Sequence, residues 1–294
     1  MRLLLTGATG LIGRELTDPL RLAGFEVYAI STRDIGNVNG YHWIKGSLFD
    51  EDFLRRTVRW VQPSHLLNLA WATTGDYLTN RVNEMFLRAG ELLAREFVSV
   101  GGRRAVYAGT CFEYKFSSSP LRESDELEPD RNLYTHCKNA LRLRVENIFS
   151  SGGVSFGYGR IFYAYGRSEP ATRLTGMVLD KIGRGERVVI RSGPLKKDYI
   201  YTKDIAGAFT RLLAGDVEGA VNVCTGQAIA IRDFVMEIAN QLGRPDLVAF
   251  NDDCANQPPL IVGDNRRLLN DVGYCPTYSI QQAVSEIVAS SMIH

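Results

Sequence analysis

The chain has 294 residues, of which 45% are hydrophobic and 23% are charged, and its formal net charge at pH 7 is +1. This near-neutral globular composition gives no reason to expect nucleic acid or an anionic membrane surface as a main partner, and no apolar run reaches the ~18 residues of a membrane span. The cysteines are scattered and form no C-x-x-C pair, which predicts reduced thiols, a cytoplasmic protein and no metal site (Cys111, Cys137, Cys224, Cys254 and Cys275).

The first predicted element is a buried strand that runs into a glycine-rich turn. Leu3 to Leu5 is an apolar run, and the glycines after it have G-x-x-G-x-x-G spacing before an amphipathic helix. Glycine lets the backbone approach a pyrophosphate closely, and the amides at the helix start attract the anion. A glycine turn without a ligand is the alternative, but the strand-turn-helix context favours dinucleotide binding. We therefore predict cofactor contacts from Gly7, Thr9, Gly10, Leu11, Ile12 and Gly13.

The first half of the chain alternates short apolar strands with helical segments. The predicted strands are Arg2–Thr6, Glu26–Ser31, His42–Lys45, His65–Leu69, Arg104–Gly109 and Val154–Arg160. The predicted helices between them are Arg14–Leu22, Asp50–Val61, Tyr77–Val100 and Tyr134–Phe149. Such alternation predicts an α/β protein with a doubly wound parallel Rossmann sheet.

The alternation breaks after about residue 163, which predicts a second, smaller α/β domain that binds the substrate. We expect residues 1–163 to form the NAD(P)-binding domain and residues 164–294 the smaller one, with segments near 198–224 and 261–275 returning to the first. Ligands of such sheets lie beyond the carboxyl ends of the strands, so the cleft between the two parts is the expected site.

The segment that begins at Tyr134 reads Tyr-Thr-His-Cys-Lys, which places Tyr134 and Lys138 four residues apart on one face of a helix. An ammonium beside a phenol favours the phenolate, so we expect a lowered pKa for Tyr134 and proton exchange with a carbonyl or carbinol. Alone, such a pair is usually an ordinary helix-surface pair. Here it follows the glycine turn and a strand that ends at Gly109 and Thr110, and this combination favours catalysis.

With these motifs the chain resembles the extended short-chain dehydrogenase/reductases, in the branch of nucleotide-sugar epimerases, dehydratases and reductases. Tyr107–Tyr114 (Tyr-Ala-Gly-Thr-Cys-Phe-Glu-Tyr) is similar to the motif at the family's fifth strand. The resemblance implies a catalytic set of Thr110, Tyr134 and Lys138, with Thr110 as the hydroxyl that hydrogen-bonds the substrate oxygen. Tyr114 is either part of the motif or a simple packing aromatic.

Other segments resemble the parts of the family that contact the cofactor. Leu67–Trp71 is similar to the strand that walls the cofactor, which implies contacts from Leu69, Ala70 and Trp71. Arg160–Gly166 is similar to the segment whose backbone meets the nicotinamide, which implies a contact from Tyr163. Asn83 matches an asparagine that supports the active-site helix, although a plain helix-surface residue is equally compatible.

The resemblance also implies a homodimer and a nucleotide-diphosphate sugar as partner. Lys197 stands where the family has a diphosphate-binding arginine, and Arg191 and Arg266 are further candidates. We expect Asp198 and Asp204, in the same motif, to be structural. Dimers of the family pair the helices predicted here at Tyr77–Val100 and Tyr134–Phe149. Substrate contacts are further expected from Thr73, Cys111 and Phe112.

The end of the second strand bears on which cofactor is bound. NAD enzymes usually carry an acidic residue there for the ribose 2′-hydroxyl, whereas this chain has Ser31, Thr32 and Arg33. A hydroxyl pair followed by arginine suits a 2′-phosphate, so we predict NADP(H). NAD stays open, since Asp34 would repel a phosphate. After the third strand, Ser47 and Leu48 stand where the family contacts the adenine.

The residues after Thr110 bear on the reaction. Dehydratases of the family have an aspartate and a glutamate there, whereas this chain has Cys111 and Phe112, and Glu113 is expected on the opposite face of a continuing strand. We therefore predict reduction of a 4-keto-6-deoxyhexose at C4, with Tyr134 as general acid. A 4-epimerase with tightly bound NAD is the alternative, and a non-catalytic dinucleotide-binding regulator is a second one.

Overall fold

The computed structural model describes residues 1–36, 38, 40–167, 169–251 and 257–291. Through the first 161 residues, strands and helices alternate. The strands are β1 (Arg2–Thr6), β2 (Glu26–Ser31), β3 (His42–Lys45), β4 (His65–Asn68), β5 (Arg104–Thr110) and β6 (Ser155–Ile161). The helices are α1 (Thr17–Leu22), α2 (Glu51–Val61), α3 (Val82–Ser99) and α4 (Leu133–Ser151), with short 3-10 helices at Gly13–Leu16 and Cys111–Glu113.

The rest of the described chain has shorter strands and further helices. The strands are β7 (Tyr163–Tyr165), β8 (Val188–Ile190), β9 (Lys196–Lys197), β10 (Tyr199–Tyr201), β11 (Gly219–Val223), β12 (Ile229–Ala230), β13 (Val248–Phe250) and β14 (Leu260–Ile261). The helices are α5 (Leu174–Gly183), α6 (Thr202–Ala214), α7 (Ile231–Gln241), α8 (Arg266–Asn270) and α9 (Ile280–Ser291), and a 3-10 helix spans Pro245–Leu247.

The central sheet has the strand order β11-β6-β5-β4-β1-β2-β3, and every neighbouring pair in it is parallel. The order reverses beside β1, which leaves a crevice at the carboxyl ends of β1 and β4. The prediction of a doubly wound parallel sheet is confirmed.

Both faces of the sheet are covered by helices. One face packs on α1 and α6 through residues such as Leu20, Ile205 and Phe209. The other face packs on α2, α3 and α4 through residues such as Leu93 and Leu141. A separate core joins α5, α7 and α9, and it contains Val178, Phe234, Val284 and their buried neighbours. The apolar runs of the strands are therefore explained by burial on both sides.

Two predicted helix starts differ from the structure. The segment after the glycine turn begins as a 3-10 helix at Gly13 and becomes α-helical only at Thr17, ahead of Pro19. The predicted helix Tyr77–Val100 begins at Val82, because the preceding residues form turns in which Asp76 accepts hydrogen bonds from the amides of Thr79 and Asn80.

The glycine turn is held by two close backbone approaches. Gly7 has φ +78°, and a Cβ there would lie 2.8 Å from the backbone nitrogen of Ala70. A Cβ on Gly13 would lie 2.2 Å from the carbonyl oxygen of Gly7 and 2.6 Å from Cα of Ala8. The tight turn is therefore a requirement of the fold as well as a candidate pyrophosphate site.

We expect Gly13→Ala to lower the free energy of unfolding by ~2 kcal/mol, because the added methyl overpacks the turn. Gly183→Ala is the matched control, since a Cβ there meets nothing within 4 Å. Urea denaturation of both variants provides the measurement. Equal stability of the two variants would contradict the packing argument.

Candidate active site

A cavity of about 450 Å³ lies at the carboxyl ends of β1, β4, β5 and β6. It runs from the glycine turn to the first turns of α4. The cavity lining includes these predicted cofactor, catalytic and substrate residues: Gly7, Gly10, Leu11, Ile12, Gly13, Leu69, Trp71, Thr73, Thr110, Cys111, Phe112, Tyr134, Lys138 and Tyr163. Residues from five separate motifs are thus brought to one site by the parallel topology.

The three predicted catalytic side chains meet in this cavity. Tyr134 and Lys138 lie on adjacent turns of α4, and Thr110 is the last residue of β5. All three are buried, at 5%, 5% and 6% exposure. The Thr110 hydroxyl accepts a hydrogen bond from the amide of Phe112 at 3.3 Å and lies close to the phenol of Tyr134. A hydroxyl and a phenol therefore present adjacent hydrogen-bonding groups to the cavity.

The expected lowering of the pKa of Tyr134 is wrong for this structure. Burial raises the pKa of Tyr134 above its usual value, and the nearby Thr110 hydroxyl offsets only part of that effect. Burial also lowers the pKa of Lys138 to about 7. The Lys138 ammonium lies 6.0 Å from the centroid of the Tyr134 ring, so burial outweighs the attraction between them. The phenol is consequently in its protonated, proton-donating form.

Lys138 is held between a carbonyl and an indole. Its Nζ donates a hydrogen bond to the carbonyl oxygen of Ala108 at 2.8 Å and lies 3.9 Å from the centroid of the Trp71 ring. Trp71 stacks on Phe86 with ring centroids 5.3 Å apart. The hydrogen bond and the cation–π contact keep the ammonium at the cavity wall.

Asn83 is fully buried, so it is not a helix-surface residue. Its Oδ1 accepts a hydrogen bond from Nε1 of Trp71 at 2.7 Å, and its Nδ2 donates to the carbonyl oxygens of Tyr77 and Asn80. These hydrogen bonds do not reach α4. Asn83 instead fixes the indole and the loop before α3, and this loop places Tyr77 against Tyr134 with ring centroids 5.1 Å apart.

Glu113 lies behind the site in a buried polar network. The expected continuation of the strand is wrong: β5 ends at Thr110, and the 3-10 helix turns Glu113 into the core. Its Oε1 accepts hydrogen bonds from the amide of Thr110 at 3.0 Å and the hydroxyl of Tyr158 at 2.7 Å. Its Oε2 accepts from Nε of Arg160 at 3.0 Å. The carboxylate therefore fixes Thr110 and does not line the cavity.

The same network includes Tyr114, which is fully buried. Its hydroxyl accepts a hydrogen bond from Nη1 of Arg160 at 2.9 Å and donates one to Oδ1 of Asn222 at 2.6 Å. Tyr114 is thus more than a packing aromatic, because it joins the end of β5 to β6 and β11.

The predicted diphosphate-binding residues lie outside the cavity lining. Lys197 is buried, its Nζ donates to the carbonyl oxygen of Pro258 at 3.3 Å, and burial lowers its pKa to about 8. The ammonium is 5.5 Å from the centroid of the Tyr163 ring, which does line the cavity. Arg266 is exposed and pairs with Asp264, and Arg191 is exposed.

The other residues predicted to contact the cofactor do not line the cavity: Thr9, Ser31, Thr32, Arg33, Ser47, Leu48 and Ala70. Ser31 ends β2, and its Oγ accepts a hydrogen bond from the amide of Arg33 at 3.1 Å. Ser31 to Arg33 therefore follow the strand next to β1, on the side of the sheet away from β5.

Asp198 and Asp204 brace loops. Asp198 accepts hydrogen bonds from the amides of Thr225, Gly226 and Gly263 and from the Thr225 hydroxyl. Asp204 accepts from the amides of Thr277 and Tyr278 and from two hydroxyls. Both carboxylates are fully buried and are occupied by these contacts.

Several cavity residues were not predicted from the sequence. Tyr77, Glu169, Thr172, Arg173, Thr175 and Tyr199 belong to this group. Tyr199 directly follows Lys197 and Asp198, in a segment that resembles a motif of the family. The sequence could therefore have indicated Tyr199 as a site residue. Glu169 and its neighbours fall between motifs, and only the fold brings them to the site.

Within the described ranges, no cluster of His, Cys, Asp and Glu could hold a metal ion, and no helix is long and apolar enough to cross a membrane. Cys111, Cys137, Cys224 and Cys275 are free thiols, while Cys254 lies outside the described residues.

Comparison with known proteins gives one family and several relatives. The sequence model of the NAD dependent epimerase/dehydratase family matches residues 3–224. The UDP-glucose 4-epimerase of Rhizobium meliloti is 23% identical, over 95% of this chain and 93% of that protein. The dTDP-6-deoxy-L-talose 4-dehydrogenase (NAD(+)) of Aggregatibacter actinomycetemcomitans is 24% identical, over 81% of this chain and 89% of that one.

A similar solved structure is the UDP-glucose 4-epimerase of Thermotoga maritima with UDP-glucose, at a TM-score of 0.89 and 18% identity. The alignment covers 99% of this chain and 100% of that one. At such low identity, the likeness establishes the fold.

We expect Glu113→Gln to lower the free energy of unfolding by roughly 3 kcal/mol, because it leaves the Arg160 guanidinium buried without its counter-charge. Glu146→Gln is the control, since Glu146 pairs with Arg142 at the surface and such pairs contribute under about 1 kcal/mol. Thermal or urea unfolding measures both. A loss for Glu113→Gln no larger than that of the control would refute the structural role of the network.

Proposed function

The chain belongs to the NAD dependent epimerase/dehydratase family, and from that premise we propose that it reduces the C4 ketone of a nucleotide-activated 4-keto-6-deoxyhexose with NADPH. The observation that carries the proposal is a protonated, buried phenol at Tyr134, close to the Thr110 hydroxyl, in a cavity that the glycine turn also lines. A ketone reduction needs such a proton donor, because the carbonyl oxygen gains negative charge as the hydride arrives at its carbon.

The residues along the cavity fit a dinucleotide. At Gly7 and Gly13 there is no room for a Cβ, so the turn presents bare backbone to the cleft. Lys138 uses one of its three N–H donors on Ala108, which leaves donors for ribose hydroxyls. The bound nicotinamide would supply the hydride. Trp71, Lys138 and Tyr163 are the residues that would hold the nicotinamide and its ribose, and Gly10 and Gly13 would hold the pyrophosphate.

The protein's own contribution is proton delivery and positioning. Tyr134 donates its phenolic proton to the substrate oxygen, and Thr110 hydrogen-bonds the same oxygen. The amide of Thr110 is fixed by Glu113, so the hydroxyl is preorganised. Lys138, held near the phenol by Ala108 and Trp71, favours the phenolate left after the transfer.

The acidic residues around the site argue against dehydration. The positions after Thr110 are Cys111 and Phe112, and Glu113 is bound to Arg160 in the core. Among the described residues that line the cavity, Glu169 is the only carboxylate, and one of its oxygens accepts from Arg173. Cys111, Phe112 and Tyr163 instead form an apolar wall, which suits the methyl group of a 6-deoxy sugar.

Ser31 and Arg33 support NADPH as the cofactor. The hydroxyl of Ser31 stands at the end of β2, where an acidic residue would exclude a 2′-phosphate. Arg33 is exposed, and within the described part of the chain its guanidinium makes no hydrogen bond or ion pair. An arginine with five donors fits a phosphate well.

We further propose that the substrate diphosphate binds near Lys197 and that the protein is a homodimer. Support for the first comes from the buried ammonium beside Tyr163. Support for the second comes from exposed apolar side chains on α3 and α4, such as Met85 and Leu143. Arg191 and Arg266 do not line the cavity, and Arg266 is paired with Asp264.

The rival reaction is 4-epimerisation, which regenerates its cofactor in each turnover. The test is to incubate the purified protein with NADPH and dTDP-4-dehydro-6-deoxyglucose, and with the UDP, CDP and GDP counterparts. We expect stoichiometric loss of NADPH absorbance with one of them. Interconversion of UDP-glucose and UDP-galactose without added cofactor, together with non-exchanging NAD in the purified protein, would establish the epimerase instead.

In that assay, Tyr134→Phe should lower kcat by about a hundredfold or more, because it removes the proton donor and leaves the ring. Tyr28→Phe is the control, since Tyr28 lies on β2 and bonds Glu26 away from the cavity. Near-normal turnover of Tyr134→Phe with an intact fold by circular dichroism would remove Tyr134 from the role.

Arg33→Ala should weaken NADPH binding by ~10-fold and leave NADH binding nearly unchanged, because the guanidinium contacts only the 2′-phosphate. Fluorescence titration of both dinucleotides measures the two dissociation constants. Arg21→Ala, on the exposed side of α1, is the control. Tighter binding of NADH than of NADPH by the unmodified protein would overturn the assignment.

A further inference from the structure

Glu169 has a carboxylate oxygen that no group in the described structure satisfies. Its Oε1 accepts a hydrogen bond from Nε of Arg173 at 2.8 Å, while its Oε2 is buried and has no partner. The side chain is only 3% exposed. Buried polar atoms are nearly always hydrogen-bonded, so an exception requires a reason.

The location of Glu169 suggests that reason. Glu169 lines the same cavity as Tyr163, Tyr199 and the glycine turn. Its charge raises the pKa of Tyr199, which is already raised mainly by burial, so the carboxylate lies close to that phenol. Tyr163 packs against Phe112, an expected substrate contact, with ring centroids 6.1 Å apart. Glu169 therefore shares the cavity with residues that are expected to contact the substrate.

The backbone of Glu169 is fixed by close packing. A Cβ on Gly176 would lie 2.3 Å from the carbonyl oxygen of Glu169 and 2.4 Å from that of Pro170, so α5 packs directly on this segment. Arg173 also donates to the carbonyl oxygen of Ala164 at 2.9 Å. The carboxylate is therefore held in place from two sides. Its terminal torsion is soft, so a small rotation turns the unpartnered oxygen toward a ligand.

We infer that Glu169 is a substrate-specificity residue whose free oxygen accepts a hydrogen bond from a hydroxyl of the sugar ring. The inference rests on the proposed function only for the class of substrate, a nucleotide-activated sugar. A carboxylate oxygen only accepts hydrogen bonds, so it favours a hydroxyl donor over an acceptor. A substrate that lacks this hydroxyl leaves the oxygen unsatisfied and is rejected.

The test measures how much the sugar contributes to binding, separately from the nucleotide. Calorimetry on the protein saturated with NADP⁺ gives dissociation constants for UDP and UDP-glucose, and for dTDP and dTDP-glucose. The ratio of the nucleotide constant to the nucleotide-sugar constant measures what the sugar contributes. We expect Glu169→Gln and Glu169→Ala to reduce this ratio by ~10-fold, with the NADP⁺ constant unchanged. Asp180→Asn, which loses a surface pair with Arg184 on the same helix, should not change it.

An unchanged ratio in both variants overturns the inference, because the oxygen then serves only the fold or a water molecule. Weaker binding of NADP⁺ by the variants also overturns it, since the hydroxyl that donates to Glu169 then belongs to the cofactor. If Glu169→Ala does not fold, the ratio measured for the nearly isosteric Glu169→Gln variant tests the inference alone. A protein that binds none of the probes overturns the assigned ligand. Absence of ketone reduction with a reduced ratio would refute the proposed reaction and leave the role of Glu169 intact.

Discussion

The ion pair between Glu113 and Arg160 is the constraint on which the site depends. It lies fully buried where β5 and β6 end, at the point from which Thr110 faces the cavity. The carboxylate accepts from the amide of Thr110, and the guanidinium bonds the Tyr114 hydroxyl, which reaches Asn222 on β11. Removal of either charged group leaves the other buried in the core without its partner. The geometry of Thr110 is therefore tied to the stability of the sheet.

On the side of this network that faces the cavity, burial shifts the pKa values of Tyr134 and Lys138. The aromatic rings of Trp71 and Tyr77 pack against Tyr134. Burial raises the pKa of Tyr134 and lowers that of Lys138 to about 7, so the phenol keeps its proton in the unliganded protein. A protonated phenol close to a hydroxyl is the arrangement that the proposed reduction of a carbonyl requires.

The sequence was sufficient for the sheet and for the convergence of the predicted catalytic residues in one cavity. Parallel strands bring their carboxyl ends together, so Gly7 and Thr110 had to meet once the strands were recognised, and Tyr134 reaches the same site from α4. The direction of the pKa shift of Tyr134 was not predictable, because it depends on rings from two other segments. The burial of Glu113 in an ion pair was not predictable for a similar reason, since its partner Arg160 lies on β6. Glu169 carries no motif, and only tertiary packing brings it to the cavity.

Transfer of label from the cofactor to the sugar tests the central claim most directly. NADPH carrying deuterium at the transferred position of the nicotinamide would be supplied with the 4-keto nucleotide sugar, and the product examined by NMR spectroscopy. The account predicts one deuterium at C4 of the sugar and a C4 hydroxyl whose proton comes from solvent by way of Tyr134. Deuterium at another carbon, or a product without deuterium formed while the label stays on the cofactor, would contradict it.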